Sequence, residues 1–368
     1  MQRILHIVGK MDRAGAESMI MNLYRAIDRQ SIQFDFIVFS TDKGDFDDEI
    51  CSLGGKIYLL SGDNSFARMI ALKNFLKEHP EYRIVHGHML LNNAFHMLAA
   101  GLARVPFRIS HSHSTGTESK GKIIDVAYKK IARLIINKLS THFIGCGKAA
   151  ADFLFPNNGR VQLLPNSIDV NHFYETGRSK DQFWLDEFGL DDSILRIIQV
   201  GRFMTVKNHQ FSVKIAKALK KNKIRFKMMM VGNGELYEDV KTEIDNCQLN
   251  SEIILVGVRN DISSLMAGAD VMIMPSLHEG FPVVLVESQS VGLPSVIADT
   301  ISREVDLDLG LVEFASLDVK PEKWVDLLCS VKNDNRKLTV DGMKVIKRKG
   351  FDIHSNALSL MNLYKSMN

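Results

Sequence analysis

The sequence has few cysteines, only short apolar runs and almost no excess of one charge over the other. No cysteine stands in a Cys-x-x-Cys or Cys/His ligand spacing; the four are Cys51, Cys146, Cys247 and Cys329. Neither a disulfide framework nor a structural zinc site is therefore indicated. The 46 Lys and Arg residues exceed the 43 Asp and Glu residues by only three, which argues against a dedicated nucleic-acid binder. We expect a protein of the reducing cytoplasm with no nucleic-acid partner.

The apolar runs are short throughout the chain. None approaches the roughly 18 residues that a transmembrane helix needs. The first run, Ile4 to Val8, is too short for a signal-peptide core and is followed directly by Gly9-Lys10, so it predicts a strand. Any membrane contact is expected from the surface, at the inner face of the membrane.

Short β-branched runs alternate with helical patterns through most of the 368 residues. This alternation predicts parallel sheets covered by helices on both faces, and the length suits two domains. The first series of predicted strands is Arg3 to Val8, Phe34 to Phe39, Lys56 to Leu60, Ile84 to His88, Phe107 to His111, His142 to Gly145 and Val161 to Leu164. The second is Arg196 to Val200, Phe226 to Val231, Ile253 to Val256, Val271 to Met274, Ser295 to Ala298 and Val312 to Ala315.

The most informative stretch is Pro275 to Glu287 (PSLHEGFPVVLVE), which follows a predicted strand. Pro282 and Gly292 predict a helix that begins at Pro282 and ends near Gly292. Free backbone N–H groups at such a helix start favour a phosphate, and Gly280 permits close approach. Glu279 and Glu287 lie eight residues apart, roughly 12 Å along a helix, which suits two carboxylates that accept hydrogen bonds from both ends of a nucleotide sugar.

This stretch, together with Gly292-Leu293-Pro294, resembles the signature of the retaining glycosyltransferases of family 4. The resemblance implies an α/β chain of GT-B fold, with two Rossmann-like doubly wound domains facing across a cleft. Residues 1–170 would form the acceptor-side domain, residues 171–350 the nucleotide-sugar-binding domain, and residues 351–368 a helix crossing back. It also implies that Glu279 and the Gly280-Phe281-Pro282 turn contact the donor sugar and phosphate, and that Glu287 holds the ribose.

Further loops match the family at strand ends. Gly201 to Asn208 lacks a P-loop motif, but the family places its diphosphate-binding Arg and Lys in this turn, which implies Arg202 and Lys207 beside Gly201. In relatives the loops at Gly232 and Val258 contact the nucleotide base.

The loop after the first strand, Gly9 to Glu17, is not the G-x-G-x-x-G of a dinucleotide site. The family usually has a Gly-Gly-Ala-Glu run here, lining the cleft. Ala14 replaces the first of those glycines, which leaves Gly15 as a close-approach residue.

Histidines end two predicted strands, as His86-Gly87-His88 and His111-Ser112-His113. Ligands bind at this edge of open α/β sheets. A contact with sugar or phosphate, a purely structural role and a metal site are all compatible with the pattern. The metal is the weakest of the three because no carboxylate or cysteine is spaced with the histidines. The family commonly has a cleft histidine after the second of these strands, which makes His111 or His113 the catalytic candidate.

A basic amphipathic pattern covers Ser119 to Leu139. Its basic residues are Lys120, Lys122, Lys129, Lys130, Arg133 and Lys138, and its apolar face is Ile123, Ile124, Ala127, Ile131, Leu134 and Ile135. We expect the apolar face to pack on the core. The basic face would be solvated, and it would also suit an anionic lipid surface.

The resemblance implies transfer of a hexosyl or N-acetylhexosaminyl group from a nucleotide sugar, with UDP the expected nucleotide, to a saccharide or lipid-linked saccharide. Exopolysaccharide or capsule assembly is the expected context, with retention of configuration and without a metal or other cofactor. The alternatives are a nucleotide-sugar 2-epimerase and an inactive nucleotide-sugar-binding protein. An epimerase would isomerise its nucleotide sugar with no acceptor present, whereas a binder would neither isomerise nor transfer.

Overall fold

The structure, a computed structural model, describes residues 1–114, 123–178, 184, 187, 189, 194–333 and 338–367. The chain divides into two compact units, Met1–Ser167 with Asp352–Asn368 as the first and Ile168–Phe351 as the second. The boundary after residue 170 was placed three residues too late and that after 350 one residue too early. The reason is that Ile168, Val170 and Phe351 are buried together in the second unit.

Within the described ranges the first unit contains a seven-stranded sheet in the order β3-β2-β1-β4-β5-β6-β7, and every adjacent pair is parallel. The strands are β1 Gln2–Ile7, β2 Ile32–Val38, β3 Ile57–Leu59, β4 Ile84–Gly87, β5 Phe107–Ser112, β6 His142–Gly145 and β7 Val161–Leu163. All of β2 is buried, as expected for a parallel strand with helices on both faces.

The second unit repeats this architecture with a parallel sheet in the order β10-β9-β8-β11-β12-β13, six strands in the part of the chain described. They are β8 Leu195–Val200, β9 Phe226–Val231, β10 Ile253–Gly257, β11 Val271–Met274, β12 Ser295–Ala298 and β13 Val312–Ala315. Every strand predicted from the sequence is confirmed to within two residues.

Helices cover both sheets and are numbered here along the whole chain. Those of the first unit are α1 Gly15–Ala26, α2 Asp47–Ser52, α3 Ser65–Glu78, α4 Asn93–Leu102, α5 Ile123–Leu139, α6 Lys148–Leu154 and α14 Ile353–Lys365. Those of the second are α7 Val170–Arg178, α8 His209–Lys221, α9 Tyr237–Asn246, α10 Ile262–Ala267, α11 Val284–Ser290, α12 Pro321–Asn333 and α13 Val340–Arg348.

The last helix, α14, belongs to the first unit although it follows the whole of the second. The Asp352 side chain caps it by accepting a hydrogen bond from Ser355 N. Leu360 and Tyr364 are buried in the same apolar cluster as Phe34 of β2. The chain therefore completes the first core only with its final segment.

Both sheets reverse their strand order at one point, between β1 and β4 in the first unit and between β8 and β11 in the second. Open α/β sheets bind ligands beyond the carboxyl ends of the strands at such switch points. The loops after β8 and β11 carry most of the donor-site residues predicted from the sequence, and Gly232 and Val258 follow β9 and β10. A group of histidines lies on β1, β4 and β5 or just beyond them.

Candidate functional site

The loop after β8 is held against the loop after β9 by backbone hydrogen bonds. Gly201 N donates to Val231 O at 2.9 Å, and Phe203 N donates to Asn233 O at 3.0 Å. Gly232 has φ of +135°, and a Cβ there would lie 2.2 Å from Gly201 O. Glycine is therefore required at 232 for both conformation and space. Arg202 is exposed beside this contact.

The loop after β8 is also tied to the loop after β11. Leu277 N donates to Val206 O at 2.8 Å. The Asn208 side chain, on a residue with φ of +54°, donates from Nδ2 to Pro275 O at 3.0 Å. The sequence analysis did not single out Asn208. Its signal was an Asn at the start of a helix after a glycine-containing turn, a position where left-handed backbone is tolerated.

An ion pair closes this connection. Lys207 Nζ lies 2.6 Å from Glu279 Oε1, and the two side chains are 19% and 12% exposed. Lys207, predicted to bind phosphate, and Glu279, predicted to bind the sugar, are thus in direct contact although they are 72 residues apart in sequence. Limited exposure strengthens such a pair relative to a fully solvated one.

The turn from Gly280 to Pro282 leaves backbone donors unused. Gly280 is exposed and a Cβ there would meet nothing within 4 Å. The N–H groups of Gly280 and Phe281 have no acceptor among the described residues. The Phe281 ring stacks on Phe351 with centroids 5.1 Å apart, and Pro282 is buried. These two residues therefore offer a ligand their backbone rather than their side chains.

The helix after this turn is shorter than predicted. It begins at Val284 instead of Pro282 and ends at Ser290. Pro282 O already accepts a hydrogen bond from Leu285 N at 3.0 Å. This bond joins residues three apart, as in a 3₁₀ turn, and it precedes the regular α-helix. Helix rather than strand is confirmed for Val284 to Val286, and Val283 is the residue that caps the helix. The free N–H groups belong to the preceding turn, and the helix dipole of seven residues adds little to them.

Glu287 lies on α11 and is partly buried. Burial raises the pKa of this carboxyl to about 7, because the charged form loses hydration. Its carboxylate has no hydrogen-bond partner among the described residues. A partly buried carboxyl with a free acceptor is suited to a ligand hydroxyl.

The loop after β10 presents Val258, which is 56% exposed. The neighbouring Arg259 donates to Asp261 from Nε and Nη2, at 2.9 and 2.7 Å, and to Glu187 at 2.7 and 2.9 Å. Arg259 is thus occupied by two carboxylates, and Val258 with Gly257, at φ of +67°, forms the open part of this loop.

The remaining predicted site residues lie in the first unit. Gly15 is the first residue of α1, and a Cβ there would meet nothing within 4 Å. His111 is 1% exposed, whereas His113 is partly exposed. His113 is therefore better placed than His111 to contact a substrate.

These histidines form part of a larger group that the sequence analysis did not assemble. The histidine cluster consists of His6, His86, His88, His111 and His113. His6 pairs in register with His86 across β1 and β4. His88 lies between His6 and His113, with Nε2 2.9 Å from His6 Nδ1 and Nδ1 2.8 Å from His113 Nε2.

Helix α5 exposes part of the face that was predicted to be buried. Ala132 and Ile136 are buried, whereas Ile131 and Leu134 are 56% and 67% exposed. The helical periodicity was predicted correctly, but the buried face was misplaced. Ala132 and Ile136 contact the core, and each lies next to a residue that was predicted to do so. Lys120 and Lys122 lie outside the described residues.

Solved structures with the same architecture define the fold. The structure of Alr3699/HepE from Anabaena, solved with UDP, superposes with a TM-score of 0.79 over 100% of both chains at 16% identity. WaaG, a glycosyltransferase involved in lipopolysaccharide biosynthesis, gives a TM-score of 0.70 over 98% of this chain and 99% of its own, at 15% identity. The fold is GT-B, two Rossmann-like doubly wound domains.

Sequence relatives identify the family. The profile "Glycosyltransferase Family 4" matches residues 13–172, and "Glycosyl transferases group 1" matches residues 181–305. "Putative glycosyltransferase EpsF" of Bacillus subtilis (strain 168) is 36% identical over 99% of this chain and 96% of its own. "UDP-Gal:alpha-D-GlcNAc-diphosphoundecaprenol alpha-1,3-galactosyltransferase" of Escherichia coli is 27% identical over 76% of each chain. The chain belongs to glycosyltransferase family 4.

The predicted enzyme class, a glycosyltransferase, is confirmed by this membership. In the ranges that the structure describes, no helix is both long and apolar enough to span a bilayer.

Proposed function

We propose that this glycosyltransferase moves a hexosyl or N-acetylhexosaminyl group from a UDP-sugar to a saccharide acceptor with retention of configuration. The observation that carries the proposal is the Lys207–Glu279 ion pair, next to the unpaired N–H groups of Gly280 and Phe281. It brings a cation, a carboxylate and backbone donors to one switch point, and these are the groups that a sugar diphosphate requires.

UDP is the proposed donor nucleotide. The Anabaena protein is described as a complex with UDP, and the name of the Escherichia coli relative specifies UDP-Gal. We place the base against the loops at Gly232 and Val258 and the ribose hydroxyls against Glu287. A carboxylate accepts two hydroxyl hydrogen bonds readily, which suits the unpartnered Glu287 side chain.

We assign the diphosphate to Arg202, Lys207 and the backbone of Gly280 and Phe281. Phosphate oxygens compete with Glu279 for Lys207, because both are anions within reach of one ammonium group. Donor binding would therefore release Glu279 to accept hydrogen bonds from the sugar hydroxyls. The resting ion pair keeps both groups in place until the donor arrives.

The transfer step needs stabilisation of the leaving diphosphate. The bond between the anomeric carbon and the phosphate oxygen breaks, the acceptor oxygen bonds to that carbon on the same face, and the acceptor proton passes to the departing phosphate oxygen. Lys207, Arg202 and the turn N–H groups stabilise the charge that develops on the diphosphate. We propose that this step proceeds without a metal ion.

The acceptor is proposed to be a saccharide linked to a lipid, in exopolysaccharide or capsule assembly. Relatives are named for diphosphoundecaprenol acceptors and for capsular polysaccharide biosynthesis. Among the side chains of α5 that the structure describes, Val126, Tyr128, Ile131 and Leu134 are large, apolar and exposed, and Lys130 and Lys138 are exposed beside them. Such a face suits an anionic membrane surface. Separately, His113 is proposed as a polar contact for the substrate.

The test combines thermal unfolding with turnover. UDP at 100 times its dissociation constant stabilises the folded state by about 2.7 kcal/mol, so the Tm should rise by several degrees with UDP and not with GDP, ADP or CMP. Lys207→Ala should abolish most of this shift and lower kcat by about 100-fold or more. Lys220→Ala removes a comparable ion pair, Lys220–Glu252 at 2.9 Å, and serves as the matched control.

Four outcomes would contradict the proposal. No Tm shift with any nucleotide would refute the donor site. Isomerisation of the nucleotide sugar without an acceptor would indicate an epimerase, and binding without transfer or isomerisation an inactive binder. Loss of transfer in EDTA, restored by Mg²⁺ or Mn²⁺, would overturn metal independence.

A further inference from the structure

The histidine cluster brings imidazoles from three adjacent strands to the switch point of the first unit. His6 lies on β1, His86 and His88 lie on and just beyond β4, and His111 and His113 lie on and just beyond β5. Residues two apart on a strand point to the same face. The sheet order β1-β4-β5 then places all five rings side by side. The proposed transfer reaction assigns a role to His113 alone, so the other four rings have no role in it.

Several ring nitrogens in this cluster lack hydrogen bonds. Among the described residues no partner exists for Nδ1 and Nε2 of His111, Nδ1 of His113, or Nε2 of His6 and of His86. His111 is 1% exposed, so both of its ring nitrogens are removed from water without gaining a hydrogen bond from the described residues. Leaving buried polar atoms unpaired is costly. Such a site calls for a ligand that accepts nitrogen lone pairs.

Two groups of three histidines have converging nitrogens, with one ligand atom of each residue within 4.8 Å of the others. The deeper group is His6, His86 and His88, where His86 Nδ1 is already engaged by the Tyr364 hydroxyl at 2.7 Å. The outer group is His88, His111 and His113. It leaves more lone pairs free, and the partly exposed His113 gives an ion a route from solvent.

We propose that His88, His111 and His113 bind one divalent late transition metal ion, with Zn²⁺ as the test ion. Imidazole nitrogen suits Zn²⁺, Cu²⁺ and Ni²⁺, whereas Mg²⁺ and Ca²⁺ require oxygen ligands. Three histidines with an open fourth position for water form an established zinc arrangement. With tetrahedral coordination, the Zn–N bond length sets a separation of about 3.3 Å between ligand atoms. The three nitrogen atoms already lie within 4.8 Å of one another, so small rotations of the rings are sufficient.

The hydrogen bonds around His88 fit this role. With its proton on Nε2, His88 donates to His6 Nδ1 at 2.9 Å, and its Nδ1 is left as a lone pair. Metal-binding histidines are usually oriented by such a bond from the other ring nitrogen. His113 Nε2 lies 2.8 Å from His88 Nδ1, where the metal replaces a shared proton. The change needs only a shift of tautomers, and each imidazole stays neutral.

The inner part of the site is removed from water. His88 is 7% exposed and His111 is 1% exposed. The aromatic rings of Phe34 and Phe36 against His6, at centroid distances of 4.1 and 5.5 Å, shield the inner side of the cluster.

The experiment uses the full chain, without a histidine tag, stripped with EDTA and dialysed. Titration with Zn²⁺ against a chromophoric chelator should give one site per chain, and saturating Zn²⁺ should raise the Tm by several degrees. His111→Gln and His113→Gln should each weaken Zn²⁺ binding by more than about tenfold, the effect that even an outer-shell partner can have. Bound Co²⁺ should show the visible absorption of a four- or five-coordinate ion, lost in both variants.

His354→Gln is the control, because His354 is exposed and lies outside the cluster. His113→Gln also guards against misfolding, since this partly exposed ring can be replaced with little disturbance; circular dichroism checks both variants. No saturable Zn²⁺ site in the stripped wild type, or equal affinity in the wild type and both cluster variants, would overturn the proposal. UDP-induced stabilisation, measured with and without Zn²⁺, keeps failure of the metal site distinct from failure of the donor site.

Discussion

Gly280 and Gly232 stand in two loops of the donor site, and a methyl group would meet different surroundings at each. At Gly280 an added Cβ has nothing within 4 Å, and at Gly232 it would lie 2.2 Å from Gly201 O. Gly280→Ala should therefore leave stability within about 0.5 kcal/mol but weaken UDP-sugar binding about tenfold, roughly 1.4 kcal/mol, because the methyl group blocks the diphosphate.

Gly232→Ala is the matched comparison. It should cost about 1–3 kcal/mol from its left-handed backbone alone, with a further loss from the contact with Gly201 O. Urea denaturation and calorimetric titration of both variants measure the two effects. Equal destabilisation by both substitutions, or unchanged donor affinity in Gly280→Ala, would argue against backbone contact at residue 280.

Glu287 gives a prediction for pH dependence. Burial raises its pKa from 4.5 to about 7, so the folded chain binds this proton more tightly than the unfolded chain. Its contribution to stability is full below pH 4.5 and is lost as the pH rises through about 7. The free energy of unfolding of Glu287→Gln, relative to that of the wild type, should therefore increase between pH 5 and pH 8. The increase should be about 1–2 kcal/mol after allowance for partial exposure.

The same Glu287→Gln variant should bind UDP more weakly, because an amide offers the ribose one acceptor in place of a carboxylate. Urea denaturation at pH 5, 6.5 and 8 checks the stability effect, and Glu175→Gln, which changes an exposed carboxyl on α7 of the same unit, is the control. A stability difference that stays constant with pH would show that Glu287 titrates normally.

At the scale of elements, α5 carries the proposed membrane contact. Ile131→Asp with Leu134→Asp should abolish co-sedimentation with vesicles rich in phosphatidylglycerol, because each side chain contributes about 1.5–3 kcal/mol when buried in lipid. Stability should change little, since these side chains are 56% and 67% exposed. Phe66→Asp, at a site 60% exposed on α3, is the matched control and should sediment like the wild type.

Two results would count against the lipid contact of α5. One is unchanged sedimentation of the double variant, and the other is equal binding of the wild type to neutral and anionic vesicles, because exposed Lys130 and Lys138 should each add about 1 kcal/mol at an anionic surface.

The strands could be predicted from the sequence because local information is sufficient for them. A buried parallel strand such as Val271–Met274 is apolar at every position and is followed directly by Pro275, so neighbouring residues define it. The Gly280-Phe281-Pro282 turn was predictable for a related reason, since proline and glycine restrict the backbone wherever they occur.

The features that were missed depend on contacts between distant segments. The histidine cluster needs His6 in register with His86, a pairing decided by the strand order and not by spacing in the sequence. The buried face of α5 was misplaced because two neighbouring stripes of this helix are apolar, and packing against Phe143 and Leu154 selects the one with Ala132 and Ile136. The Lys207–Glu279 pair spans two loops, so the sequence identified both residues but not their contact.

The whole chain is expected to unfold in two parts. Each unit has buried clusters of its own, and separate cores usually confer separate cooperativity. Leu360→Ala, at a site 1% exposed on α14, should cost about 2–5 kcal/mol. Leu358→Ala, at a site 59% exposed on the same helix, should cost little.

Hydrogen exchange followed by mass spectrometry locates the effect of Leu360→Ala. Amides of β1, β2 and β4 should exchange faster, because α14 covers the core beneath them, while β8, β9 and β11 keep their wild-type rates. UDP should still protect the loops after β8 and β11 in this variant, since every residue assigned to the nucleotide lies within Ile168–Phe351. Faster exchange spread evenly over both sheets would show that the chain unfolds as one cooperative body, in which case the final helix stabilises the donor site as well.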